Sequence, residues 1–190
     1  MGLEHGLERA LAAIARPGGV VLYPTETLYG LGGRADDAES ARRIADIKGR
    51  PPGGLIVLAT TPPFELRAAR VLAAALWPGP LSIVVPPWPG LCPEVLGPGG
   101  TVAVRPPLHP VAMALVQVVG PITSTSANRT GAPPLTDLLG ISMPVDAVVD
   151  VGPLAPSPPS TVVRGDTGRV LREGAIPAAR IARVLAEAGL

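Results

Sequence analysis

The sequence predicts an α/β fold built on a mixed sheet, and three observations point there. Short apolar runs alternate with helical patterns in the first two thirds of the chain, and strand-like runs cluster towards its end. Hydrophobic residues make up 47% of the 190 residues while aromatics make up 3%, so the core has to be aliphatic. Gly (23) and Pro (25) together form about a quarter of the chain and punctuate the apolar runs, which fits many short elements joined by stiff turns.

The elements follow in order. Residues 3–16 read as a helix closed by RPGG, and 20–24 (VVLYP) as a short buried strand. TETLYGLGGRA reads as a polar, Gly-rich loop. DDAESARRIADIKG predicts a helix, with Asp36 and Glu39 as a capping box and Gly49 as its stop. Residues 55–59 (LIVLA) predict a second buried strand, and 63–76 an Ala/Leu-rich helix ended by WPGP. LSIVVP and TVAVRP predict strands separated by a Pro/Gly loop at 86–100. Residues 109–120 predict a helix with Pro110 at its first position. PITSTS predicts a strand that runs out into polar residues, followed by a loop with a short helix over 129–145. DAVVDVG, STVVRG and GRVLRE predict three more strands, the last two a hairpin about GDTG, and IPAARIARVLAEAG the closing helix. The Pro-rich stretch 153–160 reads as an internal loop, so 1–190 is expected to form one domain.

Composition narrows the function classes. A net charge of +1 gives no global field towards nucleic acid or acidic lipid. One Cys and two separated His argue against a disulfide framework or a transition-metal cluster, so no metal site is expected. No apolar run reaches the roughly 18 residues of a membrane span. The amino-terminal stretch places acids early and Arg late, the reverse of a signal peptide, so a cytoplasmic protein is expected.

Scarcity marks candidate residues. Lys48 is the only Lys against fifteen Arg, and Asn128 is the only Asn. Lys48 and Arg50 bracket Gly49 at a helix end, two cations suited to a phosphate or carboxylate. Cations there also offset a helix dipole, which is the competing account. Thr123, Ser124, Thr125, Ser126 and Asn128 follow a strand, where open α/β sheets bind ligands; the alternative is a turn satisfying its own backbone. Glu26 and Tyr29 in YPTETLYG, Arg105 at the end of TVAVR, and Ser160 with Thr161 in PSTVV sit at strand ends. For these, capping and solvation are the competing roles. GLGGRA fits Gly-x-Gly-x-x-Ala, but five residues separate it from the strand end at Pro24 and no acidic residue follows about twenty residues on, so it makes a poor dinucleotide fingerprint. No Gly-x-Ser-x-Gly elbow surrounds any Ser, against a triad of Ser126 with His109, which reads as a helix cap or surface residue.

Taken together in chain order, YPTETLYGLGG, RRIADIKGRP, LWPGPLSIVVP, TVAVRPPLHPVAMAL, PITSTSANRTGAPP, PSTVV and RVLREGAI resemble the signature blocks of the YrdC-like family, the threonylcarbamoyl-AMP synthases. The resemblance runs from about residue 10 to residue 176. It implies a twisted mixed sheet flanked by helices around a large concave cavity. It implies a nucleotidyltransferase that joins L-threonine, bicarbonate and ATP into threonylcarbamoyl-AMP and pyrophosphate, for modification of tRNA adenosine. By resemblance, Lys48, Arg50, Ser126 and Asn128 carry the catalytic work at the ATP phosphates, with Arg172 and Tyr29 also at the nucleotide. Thr25, Thr27, Arg105 and Ser160 would form the threonine pocket. Magnesium would enter with ATP, because two cationic side chains do not neutralise a triphosphate. Partners implied are the small substrates, tRNA or double-stranded RNA, and the proteins that transfer the threonylcarbamoyl group to tRNA. One departure stands out. The loop RPPGGLIV is one residue shorter than the family pattern and lacks its second Lys and Pro, and the following strand has apolar Leu58 where some members carry His. That departure motivates an alternative, a YrdC-like paralogue acting as an RNA-binding module.

Overall fold

Nine strands and five α-helices are present in the computed structural model, which describes residues 3–140, 142–155 and 157–190. The helices are α1 (Leu3–Ile14), α2 (Ala38–Lys48), α3 (Arg67–Leu76), α4 (Pro110–Val119) and α5 (Ala178–Glu187). The strands are β1 (Val21–Pro24), β2 (Tyr29–Gly32), β3 (Ile56–Leu58), β4 (Leu81–Val85), β5 (Val102–Arg105), β6 (Ile122–Ser126), β7 (Ala147–Val148), β8 (Thr161–Arg164) and β9 (Val170–Arg172). They form one sheet in the order β7-β1-β2-β6-β3-β5-β4-β8-β9. Parallel pairs (β1/β7, β3/β5, β4/β8) are interleaved with antiparallel ones, so the sheet is mixed as predicted. The predicted hairpin is the antiparallel β8–β9 pair. No helix among the described residues is long and apolar enough to cross a membrane.

The period-2 alternation of each strand splits the core into two layers. Val57 of β3, Val102 and Val104 of β5, and Val163 of β8 face the larger core, with Ala41 and Ile44 of α2, Leu72 of α3 and Ile181 of α5. Leu58 and Ile122 face the opposite layer, where Ile14 of α1 and Leu115 of α4 pack on Val21 and Tyr23 of β1. On that second side α1 and α4 pack at the β7–β1–β6 end of the sheet. The face towards β5 and β8 is left as the floor of a cavity.

Four predictions need correcting. The Gly-rich stretch after Pro24 is not all loop, because Tyr29–Gly32 forms β2, antiparallel to β1 and β6. Its Gly residues reflect close packing rather than a turn. A Cβ on Gly32 would sit 2.2 Å from Thr123 O and 2.8 Å from the Tyr23 ring, while Tyr29 and Leu31 face the larger core. Second, among the described residues of 129–145 there is no helix. Pro133, Pro134 and Pro144 interrupt the segment, and Gly131 and Gly140 have φ of 89° and 73°. Ile141 of that segment and Pro156 of the predicted internal loop lie outside the described residues. Third, α3 starts at Arg67 rather than 63, after Pro62 and Pro63. Fourth, the helix cap of α2 is Asp37, not Asp36. The Asp37 carboxylate accepts from Glu39 N at 2.9 Å and Ser40 N at 3.3 Å, and from Gly18 N at 2.6 Å. The Asp37 amide donates to Arg34 O rather than to Glu39. Asp36 pairs with Arg34 on the surface. By contrast, His109 caps α4 as predicted, accepting from Val111 N at 3.2 Å.

This assignment is testable by denaturant unfolding. Asp37→Ala should lower stability by about 1–2 kcal/mol, the usual loss of a helix cap. Asp36→Ala should change it by less than about 0.5 kcal/mol, as an exposed pair does.

Candidate active site

A cavity of about 480 Å³ opens over the β3, β5, β6 and β8 face of the sheet. Strand alternation decides what reaches it. Along β6, Ile122 enters the helix layer, and Ser124 and Ser126 continue the same face into the cavity. Along β5, Ala103 and Arg105 face the cavity while Val102 and Val104 face the core. Nine of the ten site residues expected from the sequence line this one space: Thr25, Thr27, Lys48, Arg50, Arg105, Ser126, Asn128, Ser160 and Arg172.

The tenth, Tyr29, is placed elsewhere. Its ring is fully buried in the larger core. Its hydroxyl lies 2.8 Å from Gly152 O and 3.1 Å from Asp150 Oδ1, donating to one of them, and accepts from Val151 N at 3.0 Å. In this arrangement Tyr29 ties β2 to the segment after β7 and is not part of the cavity wall.

One wall is built around Lys48. Gly49 adopts φ 65°, ψ 41°, which reverses the chain at the end of α2 and lets Lys48 and Arg50 both line the cavity. The buried Lys48 Nζ donates to Ser126 O at 2.6 Å and Asn128 O at 2.9 Å. An ammonium has three N–H donors, so one remains for a ligand. Burial, with the Arg50 charge second, pulls Lys48 down to about 8. The Asn128 amide does two things. Its Nδ2 donates to Arg129 O at 3.0 Å and Ala132 O at 2.6 Å, closing the turn. Because both partners are carbonyls, the nitrogen is fixed there, and Oδ1 is left as a buried acceptor with no partner. The turn therefore accounts for the nitrogen end of the amide, and the oxygen end is left unpaired in the cavity wall.

The other wall is built around two Arg. Arg105 is 5% exposed and pairs with Glu26. Burial first, and then the Arg172 charge, lower its pKa to about 10, opposed by Tyr23. Arg172 donates to Ser160 O at 2.9 Å, and the Ser160 hydroxyl lies 3.0 Å from that of Ser82. Thr25 Oγ1 donates to Leu28 O at 2.6 Å and accepts from Thr27 N and Leu28 N, so its hydroxyl shapes the turn leading into β2. The loop after Arg50 is pinned: Gly54 N donates to Leu96 O, and Leu55 N to Val95 O. A Cβ on Gly53 would come within 2.8 Å of Leu96 O.

Ser82 has no role in the sequence reading. Its signal is a lone hydroxyl at a fully buried position of an otherwise apolar strand.

The profile of the Sua5/YciO/YrdC family, described as telomere recombination, matches residues 13–174. The chain belongs to this family. The threonylcarbamoyl-AMP synthase of Thiobacillus denitrificans is 36% identical over 181 residues, covering 89% of this chain and 96% of its own length. That of Bacillus subtilis is 34% identical over 190 residues, covering 92% of this chain and 55% of its own length. Among solved structures, Pyrococcus abyssi Sua5 complexed with L-threonine superposes with a TM-score of 0.83 at 31% identity, covering 95% of this chain and 57% of that protein. The mixed sheet with flanking helices is thus the Sua5/YciO/YrdC architecture.

Because Lys48 titrates near 8, anion affinity should depend on pH. Pyrophosphate binding by calorimetry should weaken about tenfold from pH 7 to pH 9, as the ammonium loses its proton. In Lys48→Arg, whose cation persists, it should stay nearly flat. Stability should move the other way. Between about 8 and the ordinary 10.5 the unfolded chain holds the extra proton, so unfolding free energy from Lys48 rises with pH across that window.

Proposed function

We propose that this chain is a threonylcarbamoyl-AMP synthase, joining L-threonine, bicarbonate and ATP with release of pyrophosphate. The observation that carries the reading is the convergence of two walls on one cavity. Lys48, Arg50, Ser126 and Asn128 form one, and Arg105, Ser160 and Arg172 the other. The named synthases that match nearly the whole chain support it.

The chemistry suits these groups. The threonine amine captures carbon dioxide as a carbamate, and a carbamate oxygen attacks the α-phosphorus of ATP. Pyrophosphate leaves. Such a displacement needs alignment and charge neutralisation more than a protein nucleophile. The third Lys48 N–H and the Arg50 guanidinium would meet phosphate oxygens. The Arg105 guanidinium would take the amino-acid carboxylate, with Ser160 beside it, and Arg172 would face the nucleotide.

Asn128 Oδ1 is an acceptor, so it does not hydrogen-bond a phosphate oxygen. It fits a ribose hydroxyl or a magnesium ion carried by the triphosphate. None of the described lining side chains is a carboxylate, so that ion would be held mainly by phosphate oxygens and water. The product would pass to proteins that modify tRNA. The RNA-binding alternative draws no support from a net charge of +1 and five aromatic residues.

The test is pyrophosphate release by purified protein. It should require ATP, threonine and bicarbonate together. Lys48→Ala and Asn128→Ala should each reduce it by at least about a hundredfold, comparable to losing a principal electrostatic contact, while circular dichroism stays native. Release independent of threonine, or full activity in both variants, would sink the proposal.

A further inference from the structure

Ser82 is the hidden member of a row that crosses β4, β8 and β9. In register it lies beside Val162, and Val162 lies beside Arg172. Side chains at paired positions share a face of the sheet, and Val162 and Arg172 both line the cavity. Ser82 shares that face but is fully buried and does not reach the cavity. Its chain neighbours Leu81 and Ile83 face the larger core. Its hydroxyl is bonded at 3.0 Å to the hydroxyl of Ser160, a residue that does line the cavity.

The direction of that bond follows from which proton has another place to go. Among the described residues the Ser82 hydroxyl has no other hydrogen-bond partner. If Ser160 donated, the Ser82 proton would be buried without an acceptor, which is unfavourable. If Ser82 donates, the Ser160 proton is released, and Ser160 borders open space. A second donor also faces the Ser160 oxygen. Arg172 Nη2 bonds Ser160 O at 2.9 Å and lies 3.5 Å from Ser160 Oγ, and a guanidinium only donates. A hydroxyl oxygen has two lone pairs. With Ser82 and Arg172 both directed at them, the Ser160 proton is left for an acceptor in the cavity.

We infer that Ser82 is a positioning residue for substrate binding, holding Ser160 as a hydrogen-bond donor aimed at an acceptor oxygen of the substrate. Ser82 touches no substrate itself and acts through Ser160. Without the Ser82 hydroxyl, Ser160 loses the donor that fixes its rotor, and its proton is free to turn away from the cavity. The inference rests on the placement of the amino-acid carboxylate beside Ser160, and adds what keeps Ser160 in its donating state.

The experiment is a double-mutant cycle of Ser82→Ala and Ser160→Ala, read by steady-state pyrophosphate release with threonine and ATP varied separately. Ser82→Ala should raise KM for threonine about fivefold, the contribution of one neutral hydrogen bond. It should leave kcat and KM for ATP within about twofold of wild type, a split that a general loss of packing would not produce. In the Ser160→Ala background, Ser82→Ala should add less than about twofold. Ser82→Cys fills the same space with a weak donor. It should show the same threonine-specific rise, and it carries the cycle if Ser82→Ala is poorly folded. Equal rises in KM for threonine and for ATP mark a merely structural residue and overturn the inference. An effect of full size in the Ser160→Ala background, or no effect on threonine at all, overturns it too. Each of these leaves the synthase reading standing. Wild-type pyrophosphate release that does not respond to threonine overturns both.

Discussion

The Lys48 ammonium, set between Ser126 O and Asn128 O, is the contact on which the cavity depends. It ties the end of α2 to the end of β6, seventy-eight residues apart in the chain. The backbone repeats the tie, because Thr130 N donates to Lys48 O at 3.0 Å. Burying a charge is unfavourable unless its donors are matched, and here two carbonyls match two of three. The geometry also accounts for a Lys in a chain that otherwise uses Arg. A compact ammonium can sit between two carbonyls and still point a third donor outward, whereas a planar fork of five donors would leave more of them unmatched. With this contact in place, Ser126 and Asn128 are held at the rim where a polyanion would lie.

The rest of the site follows from strand alternation. β5 sends valines to one face and Ala103 and Arg105 to the other, so the same register that fills the aliphatic core delivers the guanidinium to the cavity. β6 does likewise with Ser124 and Ser126. α1 and α4 pack on one end of that face and leave the other as the cavity floor. The two walls face each other because β6, with Ser126, and β5, with Arg105, belong to one sheet, while the end of α2 brings Lys48 and Arg50 to the end of β6.

Much of this was legible in the sequence, and the failures have physical causes. The rarity of Lys48 and Asn128 pointed to one wall of the cavity, and the strand-end positions of Arg105 and Ser160 to the other. β2 was misread because alternation of Tyr29 and Leu31 with Gly30 and Gly32 looks like a flexible loop. The glycines are there because Thr123 and Tyr23 come too close for a side chain at Gly32. The family resemblance puts Tyr29 at the nucleotide, whereas in β2 its side chain faces the larger core together with Leu31. Its ring went to the core and its hydroxyl to Gly152 and Asp150. Asp36 and Asp37 are adjacent and chemically alike, so only backbone geometry separates cap from surface pair. Glu26 stood out as a residue but not as a partner, since pairing with Arg105 joins β5 to a turn seventy-nine residues away.

The central claim is that a phosphate wall and an amino-acid wall serve one reaction in one cavity. Nuclear magnetic resonance of a reaction mixture with carbon-13 bicarbonate, nitrogen-15 L-threonine and ATP tests it directly. The account predicts a new carbon signal split by one-bond coupling to nitrogen and by two-bond coupling to phosphorus, the signature of threonine, carbon dioxide and adenylate joined in one product. AMP and pyrophosphate accumulating without any carbon signal coupled to both nuclei would contradict it.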